Sequence, residues 1–354
     1  MMNREEKKKK VLDMLKDQVI TQAQALDLLE LIAHETTGKK TSEPEPLARE
    51  VEITPPNLPF DFFGQSDYRF SFSEPVRKSQ TAELRVIGKN SQINVMTHQK
   101  STIDIKGWYK ATRNNNPMIT FVEQDNVYVL NYNVHGVKHL GCDIYVPEEM
   151  LGLIYIENSN APVDLRGIEA KEIGVLTKNA PISIRGCISE RLIAATKNSD
   201  VTVKQVQSKV LDVTTTNAKI VVNDTFAFEG EFKTSNAMIF LQDSGITKSY
   251  YETKNANLWI DLTTIDLRGR YEIEGRTTNA NIEVLLPDQQ DVSYQISGAT
   301  KRGAIITDRS DLRIRARDKG YLVAKTYDYD TSPSSVNLNL QTTNANIKIT
   351  ETFY

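Results

Sequence analysis

A six-residue phrase, Asn160-Ala161-Pro162-Val163-Asp164-Leu165, returns at Asn179, Asn198, Asn217, Asn236 and Asn255 at steps of 19 residues, and again at Asn279 and Asn344. Its fuller form is Thr215-Thr216-Asn217-Ala218-Lys219-Ile220-Val221-Val222. A fixed period near 20 residues is the mark of a solenoid, in which each repeat contacts only its neighbours and none is stable alone. Three residues after each Asn sits Val163, Ile182, Val201, Ile220, Ile239, Leu258, Ile282 or Ile347, and two further on Leu165, Ile184, Val203, Val222, Leu241, Ile260, Val284 or Ile349. That alternation puts one face of a short strand inward. Before each Asn a second strand is visible, with inward pairs such as Ile154/Ile156, Ile173/Val175, Leu192/Ala194 and Leu211/Val213. The expected unit is a coil of about two strands, with a corner at Asn-Ala and a looser turn at the other end. Full burial of one such aliphatic side chain contributes roughly 1.5–3 kcal/mol, so several coils together can fold.

The residue after each Asn is Ala or Ser, which predicts a narrow interior at that corner. Pro162 and Pro181 follow in successive coils. Proline has no N–H, so that place is expected outside the hydrogen-bonded ladder. Asn suits a corner because its short amide bonds nearby backbone and tolerates left-handed geometry. Stacked in register, Asn160, Asn179, Asn198, Asn217, Asn236, Asn255, Asn279 and Asn344 would form a side-chain ladder. A glycan- or ion-binding stripe is the functional alternative; satisfaction of the corner's polar groups is the simpler reading.

The expected fold is thus all-β, a single-chain β-solenoid with coils of about 19 residues. Three parts precede its regular repeats. Residues 3–34 read as a helical hairpin: Val11, Leu12 and Leu15 make one apolar stripe, and Thr21 and Gln24 form a capping box before a second helix with Ala25, Leu26, Leu28, Leu29 and Ile32 on one side. Helices this short need another surface to pack on, so Leu26, Leu29 and Ile32 are candidate contacts for a protein partner, a membrane surface or a second copy. The Lys7–Lys10 run would favour anionic lipid, or it is a solvated face balanced by Glu5 and Glu6. Residues 35–68 form a Pro-rich linker with Pro44, Pro46, Pro55, Pro56 and Pro59, followed within it by Phe60-Asp61-Phe62-Phe63-Gly64, a candidate plug over the first sheet edge. The solenoid domain is placed at 69–354. Its leading part, to residue 156, shows period-two segments at 82–87, 92–97, 101–106, 118–123, 127–131 and 142–146, expected to be irregular early coils.

Charge is nearly balanced, with a formal net of −3, which argues against a nucleic-acid surface. Cys142 and Cys187 are far apart, so no disulfide framework is expected. There is no signal-like apolar run and no span of 18 apolar residues, so the expectation is a cytoplasmic chain, peripheral at most, with surface exposure by a non-standard route left open. His135, His139 and Cys142 have a spacing that zinc could use, but a fourth ligand is missing. His34 and His98 have no evident nucleophile nearby in sequence, and no nucleophile elbow, metalloprotease helix or phosphate loop occurs. No catalytic, cofactor-binding or metal residue is therefore assigned. Between the last two phrases, residues 287–341 hold Thr300-Lys301-Arg302-Gly303-Ala304-Ile305, a phrase with Arg in place of Asn. A basic strand follows with Arg313, Arg315 and Arg317, then Tyr321. These four are candidates for a partner surface or for a cap that protects the stack's end.

Two resemblances follow from these residues. Residues 3–34, with Val19-Ile20-Thr21 before Gln22-Ala23-Gln24-Ala25-Leu26-Asp27-Leu28-Leu29, resemble the SHOCT-like hairpin of certain Firmicutes envelope-stress proteins; Asp17-Gln18-Val19 stands where that family usually has Gly. Cys142-Asp143-Ile144-Tyr145-Val146-Pro147, the repeats, and Thr342-Thr343-Asn344-Ala345-Asn346-Ile347 resemble the bacterial putative-adhesin domain of LiaG-like and YvlB-like proteins, over about residues 70–354. Many relatives carry Asn-Gly-Asp or Ser-Gly-Asp at the corner, where this chain has Asn-Ala. The combined architecture is similar to that of YvlB-like and, more loosely, LiaX-type antimicrobial-peptide-response proteins. The resemblance implies a non-enzymatic binding or scaffold protein of envelope stress. A self-assembling solenoid scaffold is the first alternative, and a glycan-binding or glycan-processing β-helix the second.

Overall fold

The computed structural model describes residues 65–77, 81–112, 118–133, 137–149 and 151–351. The expected helical hairpin, most of the linker, the Phe60–Gly64 stretch and His135 lie outside them.

All 27 elements of the described chain are strands, and they form two long sheets. The regular part alternates between them. Sheet A receives the four- and five-residue strands β9 (Val163–Arg166), β11 (Ile182–Arg185), β13 (Val201–Lys204), β15 (Ile220–Asn223), β17 (Ile239–Gln242), β19 (Leu258–Asp261) and β21 (Ile282–Leu286). Sheet B receives β8 (Leu151–Glu157), β10 (Glu169–Leu176), β12 (Ile188–Ala195), β14 (Gln207–Thr214), β16 (Phe226–Lys233), β18 (Gly245–Glu252) and β20 (Arg270–Arg276). Neighbouring coils pair in parallel with equivalent residues opposite, as in Ile182↔Val201 and Leu192↔Leu211. The 19-residue period is therefore the register itself. The aliphatic residues after Asn point between the sheets and are buried from end to end, from Val163 and Leu165 to Ile347 and Ile349.

The two ends of each coil turn by different chemistry. Away from Asn, the chain reverses through a left-handed residue at Gly167, Gly186, Gln205, Asp224 and Asp243, with φ between 48° and 66°. Glycine enters that region without steric cost, and Asp can bond its own backbone there. The next residue, Ile168, Cys187, Val206, Thr225 or Ser244, folds back into the interior.

Both termini of the stack depart from the period. At the start, β2 (Glu83–Ile87) and β3 (Ser91–His98) form a coil that pairs in parallel with β8 and β9. Outside it the chain places β6 (Val127–Asn133) and β7 (Val137–Pro147), again in parallel. Antiparallel strands then close the edges: β5 (Met118–Gln124) on β6, β4 (Thr102–Thr112) on β7 and β1 (Gln65–Pro75) on β4. The segments expected to be early coils thus divide into two true coils and a set of antiparallel edges. Tyr68, Phe70 and Tyr109 pack beneath those edges, with Tyr68 and Tyr109 stacked at 5.0 Å.

At the other end, β22 (Val292–Ala299) and β23 (Ile305–Thr307) form a coil separated from β20 and β21 by a gap of one coil. The hairpin of β24 (Leu312–Asp318) and β25 (Tyr321–Thr326) extends sheet B further, antiparallel to β22. The chain then returns, and its last two strands, β26 (Ser334–Gln341) and β27 (Ile347–Glu351), fill the gap. They pair in parallel with coils on both sides. Sheet A stops at β23, whereas sheet B continues through β25 to β24.

Candidate binding surfaces

The stripe of Asn side chains at the corner is continuous. Asn160 Nδ2 donates to Asn90 Oδ1 at 2.6 Å, and each amide then donates to the one before it: Asn179, Asn198, Asn217, Asn236, Asn255, Asn279 and finally Asn344, at 2.6–2.8 Å. The first rung, Asn90, belongs to the coil of β2 and β3 and takes a positive φ of 59°. All eight phrase asparagines are exposed at their tips, but their amides are committed to one another along the stack. Such a ladder holds neighbouring coils in register and leaves few polar atoms free for a ligand.

Beneath it runs a second, buried stripe. Thr196, Thr215, Thr234, Thr253, Thr277, Thr300 and Thr342 are buried, two residues before the Asn or its Arg302 counterpart. Their hydroxyls donate to corner carbonyls: Thr234 to Ala218 O at 3.1 Å, Thr253 to Ala237 O at 3.0 Å, Thr300 to Ala345 O at 2.9 Å. The interior of this corner is therefore filled by threonine. The small residue after Asn is mostly half-exposed, and its carbonyl is the part that is used. The proline position is also more particular than the sequence suggested. Pro162 and Pro181 accept from Ile93 N and Val163 N through their carbonyls, so the place joins the ladder on one side. At three of the non-proline places the N–H is met by a side chain in the adjacent coil: Lys219 N on Asp200 Oδ1, Asn281 N on Asn257 Oδ1 and Asn346 N on Asn281 Oδ1. The Arg302 phrase occupies the same corner: Lys301 N and Arg302 N both donate to Thr343 O. Gly303 is forced there, because a Cβ would lie 1.8 Å from Ala345 O.

Of the three residues with zinc-like spacing, His135 lies outside the described residues, and the other two face different surroundings. His139 is exposed at a left-handed residue, while Cys142 lies wholly buried in the core. Burial pushes the Cys142 thiol up to about 12 and the Cys187 thiol up to about 11, so both stay protonated and unreactive at neutral pH. Among the described residues no group of three or more His, Cys, Asp or Glu could hold a metal. His98 hydrogen-bonds Thr102 O at 2.7 Å and lies 3.8 Å from Asp104. Burial pushes the Asp104 carboxyl up, but bonds from Ser73, Thr102 and Lys100 outweigh it and hold the group below its usual value.

Outward-facing residues vary from coil to coil. On sheet B, a depression of about 430 Å³ is lined by Asp212, Glu229, Glu231, Glu272, Glu274 and Tyr250 among others. Its charges are largely matched in place: Arg191 meets Asp212 at 2.9 Å, Arg276 meets Glu274 at 2.5 Å, and Lys233 and Arg276 both lie over the Tyr250 ring. Burial raises the Asp212 carboxyl and takes the Tyr250 hydroxyl up to about 12. On sheet A, Phe240 and Trp259 lie in adjacent coils with rings 6.3 Å apart and nearly parallel. On the edge of sheet B nearest the left-handed corner, Ile188, Phe226 and Phe228 are 45 %, 46 % and 53 % exposed, and Lys248 sits over the Phe228 ring. Sequence reasoning missed this patch. The signal was a break in polar-out alternation at Phe226-Ala227-Phe228, hidden in one coil of many.

Of the sequence-chosen candidates, Arg313, Arg315, Arg317 and Tyr321 come together at the C-terminal end of sheet B. The three arginines are exposed on β24, and Tyr321 begins β25 opposite Asp318. Leu26, Leu29 and Ile32 lie outside the described residues. Among the described residues no helix is long and apolar enough to cross a membrane.

The profile of the Toastrack DUF4097 family matches residues 76–352. Among solved structures, a putative adhesin from Bacteroides fragilis is 10% identical, aligned over 79% of this chain and 96% of its own, with a TM-score of 0.39. A putative adhesin from Parabacteroides merdae is 8% identical over 80% of this chain and 96% of its own, with a TM-score of 0.37. A putative cell adhesion protein from Clostridium sporogenes is 11% identical over 80% and 99%, with a TM-score of 0.21. No curated protein matches the chain.

Proposed function

The chain belongs to the Toastrack DUF4097 family, and from that premise we propose that it is a non-enzymatic binding scaffold of the bacterial cell-envelope stress response, peripheral to the membrane. The observation that carries a binding role is the exposed pair Phe226 and Phe228 on β16, with Ile188 two coils away across Gln207. The core of each coil is complete without these side chains, yet they are held about half exposed on a rigid edge. Clustered apolar side chains on a rigid scaffold are the usual anchors of a protein interface. The envelope-stress part rests on the sequence resemblance: residues 3–34, with Leu26, Leu29 and Ile32, would supply a second contact to a protein or membrane surface. Two weak contacts on one chain reinforce each other.

The test is fractionation of cells, with and without an envelope-targeting antibiotic, for wild type and Phe226→Ser/Phe228→Ser. The wild type is expected in the envelope fraction under stress. The variant is expected to lose that association at least fivefold while melting within a few degrees of wild type. Equal partition of both proteins, or a wild type that never leaves the soluble fraction, defeats the proposal.

A further inference from the structure

The C-terminal end of sheet B is left open in a specific way. Among the described residues β24 pairs only with β25, so its outer edge has no strand partner among them. Sheet A ends at the level of β22, two strands short of β24, and does not cover it. Every residue of Arg313–Asp318 is exposed, and Ile314 is 48 % exposed. A β-bulge at Arg315 breaks the register with β25. Elsewhere arginines tend to lie beside a carboxylate in the same strand or the next coil, as Arg166 does with Asp164 and Arg191 with Asp212. Among the described residues Arg313, Arg315 and Arg317 make no ion pair within 4 Å, and among the charges near Arg315 is Asp330, which pairs with Lys325. Three guanidinium groups along one open edge call for an extended, acidic strand.

The chain contains one. Glu50-Val51-Glu52-Ile53-Thr54, bounded by Pro46 and Pro55, alternates carboxylate and β-branched residues at the period of a strand. It precedes β1, which starts at Gln65 at the far end of the stack. Eleven Cα–Cα steps lead from Thr54 to Gln65, a reach of at most about 40 Å. Sheet A alone has 13 strands, so β1 and β24 are separated by at least about 58 Å of stack at about 4.8 Å per strand. The segment cannot reach β24 of its own molecule.

We propose that β24 is the acceptor edge for Glu50–Thr54 of a second copy of this chain. The segment adds as a further strand of sheet B. Glu50 and Glu52 meet Arg313 and Arg315, and Val51 and Ile53 cover Ile314, whose face the bulge makes Arg317 share. The contact joins the start of one molecule to the end of the next. It is heterologous, so it propagates into open chains.

The experiment is light scattering on full-length protein across a hundredfold range of concentration, at low and high salt. The wild type is expected to grow in apparent mass with concentration above the 40.0 kDa monomer, and to shrink with salt. Arg313→Glu/Arg315→Glu/Arg317→Glu, which lacks the acceptor, and Glu50→Lys/Glu52→Lys, which lacks the donor, are each expected to remain monomers with unchanged melting. Mixed together, the intact segment of one meets the intact edge of the other, and the two reversed halves also match, so the mixture is expected to co-assemble into alternating chains. The variant carrying all five reversals is expected to recover self-association. A wild type monomeric at every concentration overturns the proposal. So does association untouched by either set of reversals, or a mixture that stays monomeric. None of these outcomes depends on envelope binding, so this proposal and the proposed function fail separately.

Discussion

In β16, Phe232 is wholly buried, stacked on Tyr251 of the next coil at 5.0 Å. In β24, Ile314 is a strand residue of the same sheet, and nearly half of it faces solvent. Both belong to period-two patterns that read equally well as strands. What separates them is company. Phe232 has a coil on either side and sheet A beneath, whereas among the described residues Ile314 has one neighbouring strand and no strand of sheet A opposite. In a quasi-one-dimensional stack, stability belongs to the interfaces between coils, so the same residue type matters in proportion to how many interfaces it joins.

The sharpest way to break this comparison is truncation at both places. Phe232→Ala is expected to cost about 3–5 kcal/mol, and Ile314→Ala no more than about 0.5 kcal/mol, by denaturant midpoints at a common m-value. Comparable costs would mean that the end of sheet B is covered in solution.

An alkaline series compares the irregular start with a regular coil. Burial raises both thiols above the usual 9.0: Cys142, in β7, to about 12 and Cys187, at a left-handed corner, to about 11. Raised folded values leave stability intact below the unfolded thiol pKa. It is then lost as pH rises from about 9 towards the folded values, at up to about 1.4 kcal/mol per pH unit for each thiol. Cys142→Ala is expected to keep more of its own neutral-pH melting temperature at pH 10.5 than wild type does. An identical alkaline loss in wild type, Cys142→Ala and Cys187→Ala would assign the effect to other groups.

The smallest contrast lies in the Asn ladder. Asn217→Leu removes an amide that both donates and accepts, whereas Asn344→Leu removes the last rung, bonded only to Asn279. The first is expected to cost about 1 kcal/mol and the second roughly half, since each exposed amide bond contributes little. An unchanged melt for Asn217→Leu would end the ladder's structural role.

The repeat was legible because a 19-residue period and an inward pair of aliphatics are local signals. The corner asparagines could be placed in one column from sequence alone. The buried threonines beneath them were visible as letters, but their use as caps for the Ala carbonyls depends on how tightly the turn closes. The ends were less legible for a physical reason. Strands such as β4 and β22 carry the same alternation whether they pair in parallel or antiparallel, and with the next coil or the one beyond. Register between non-neighbouring segments has no short-range signature. The exposed rim of Phe226 and Phe228 was hidden likewise, since a phenylalanine in a strand reads as core until its side of the sheet is known. Arg313, Arg315 and Arg317 were found because charge on a strand is conspicuous in any fold.

The order in which the coils are stacked is not the order in which they are made. β26 and β27, which follow β22 to β25 in the chain, occupy a slot between two coils that precede them. Growth of the stack from its N-terminal side can proceed during synthesis as far as β21. The coil of β22 and β23 must then wait beside an empty position, because its parallel partners in both sheets do not yet exist. The finished molecule is keyed shut by residues 334–351. Until they are in place, the coils of β20–β21 and β22–β23 face each other with unpaired strand edges.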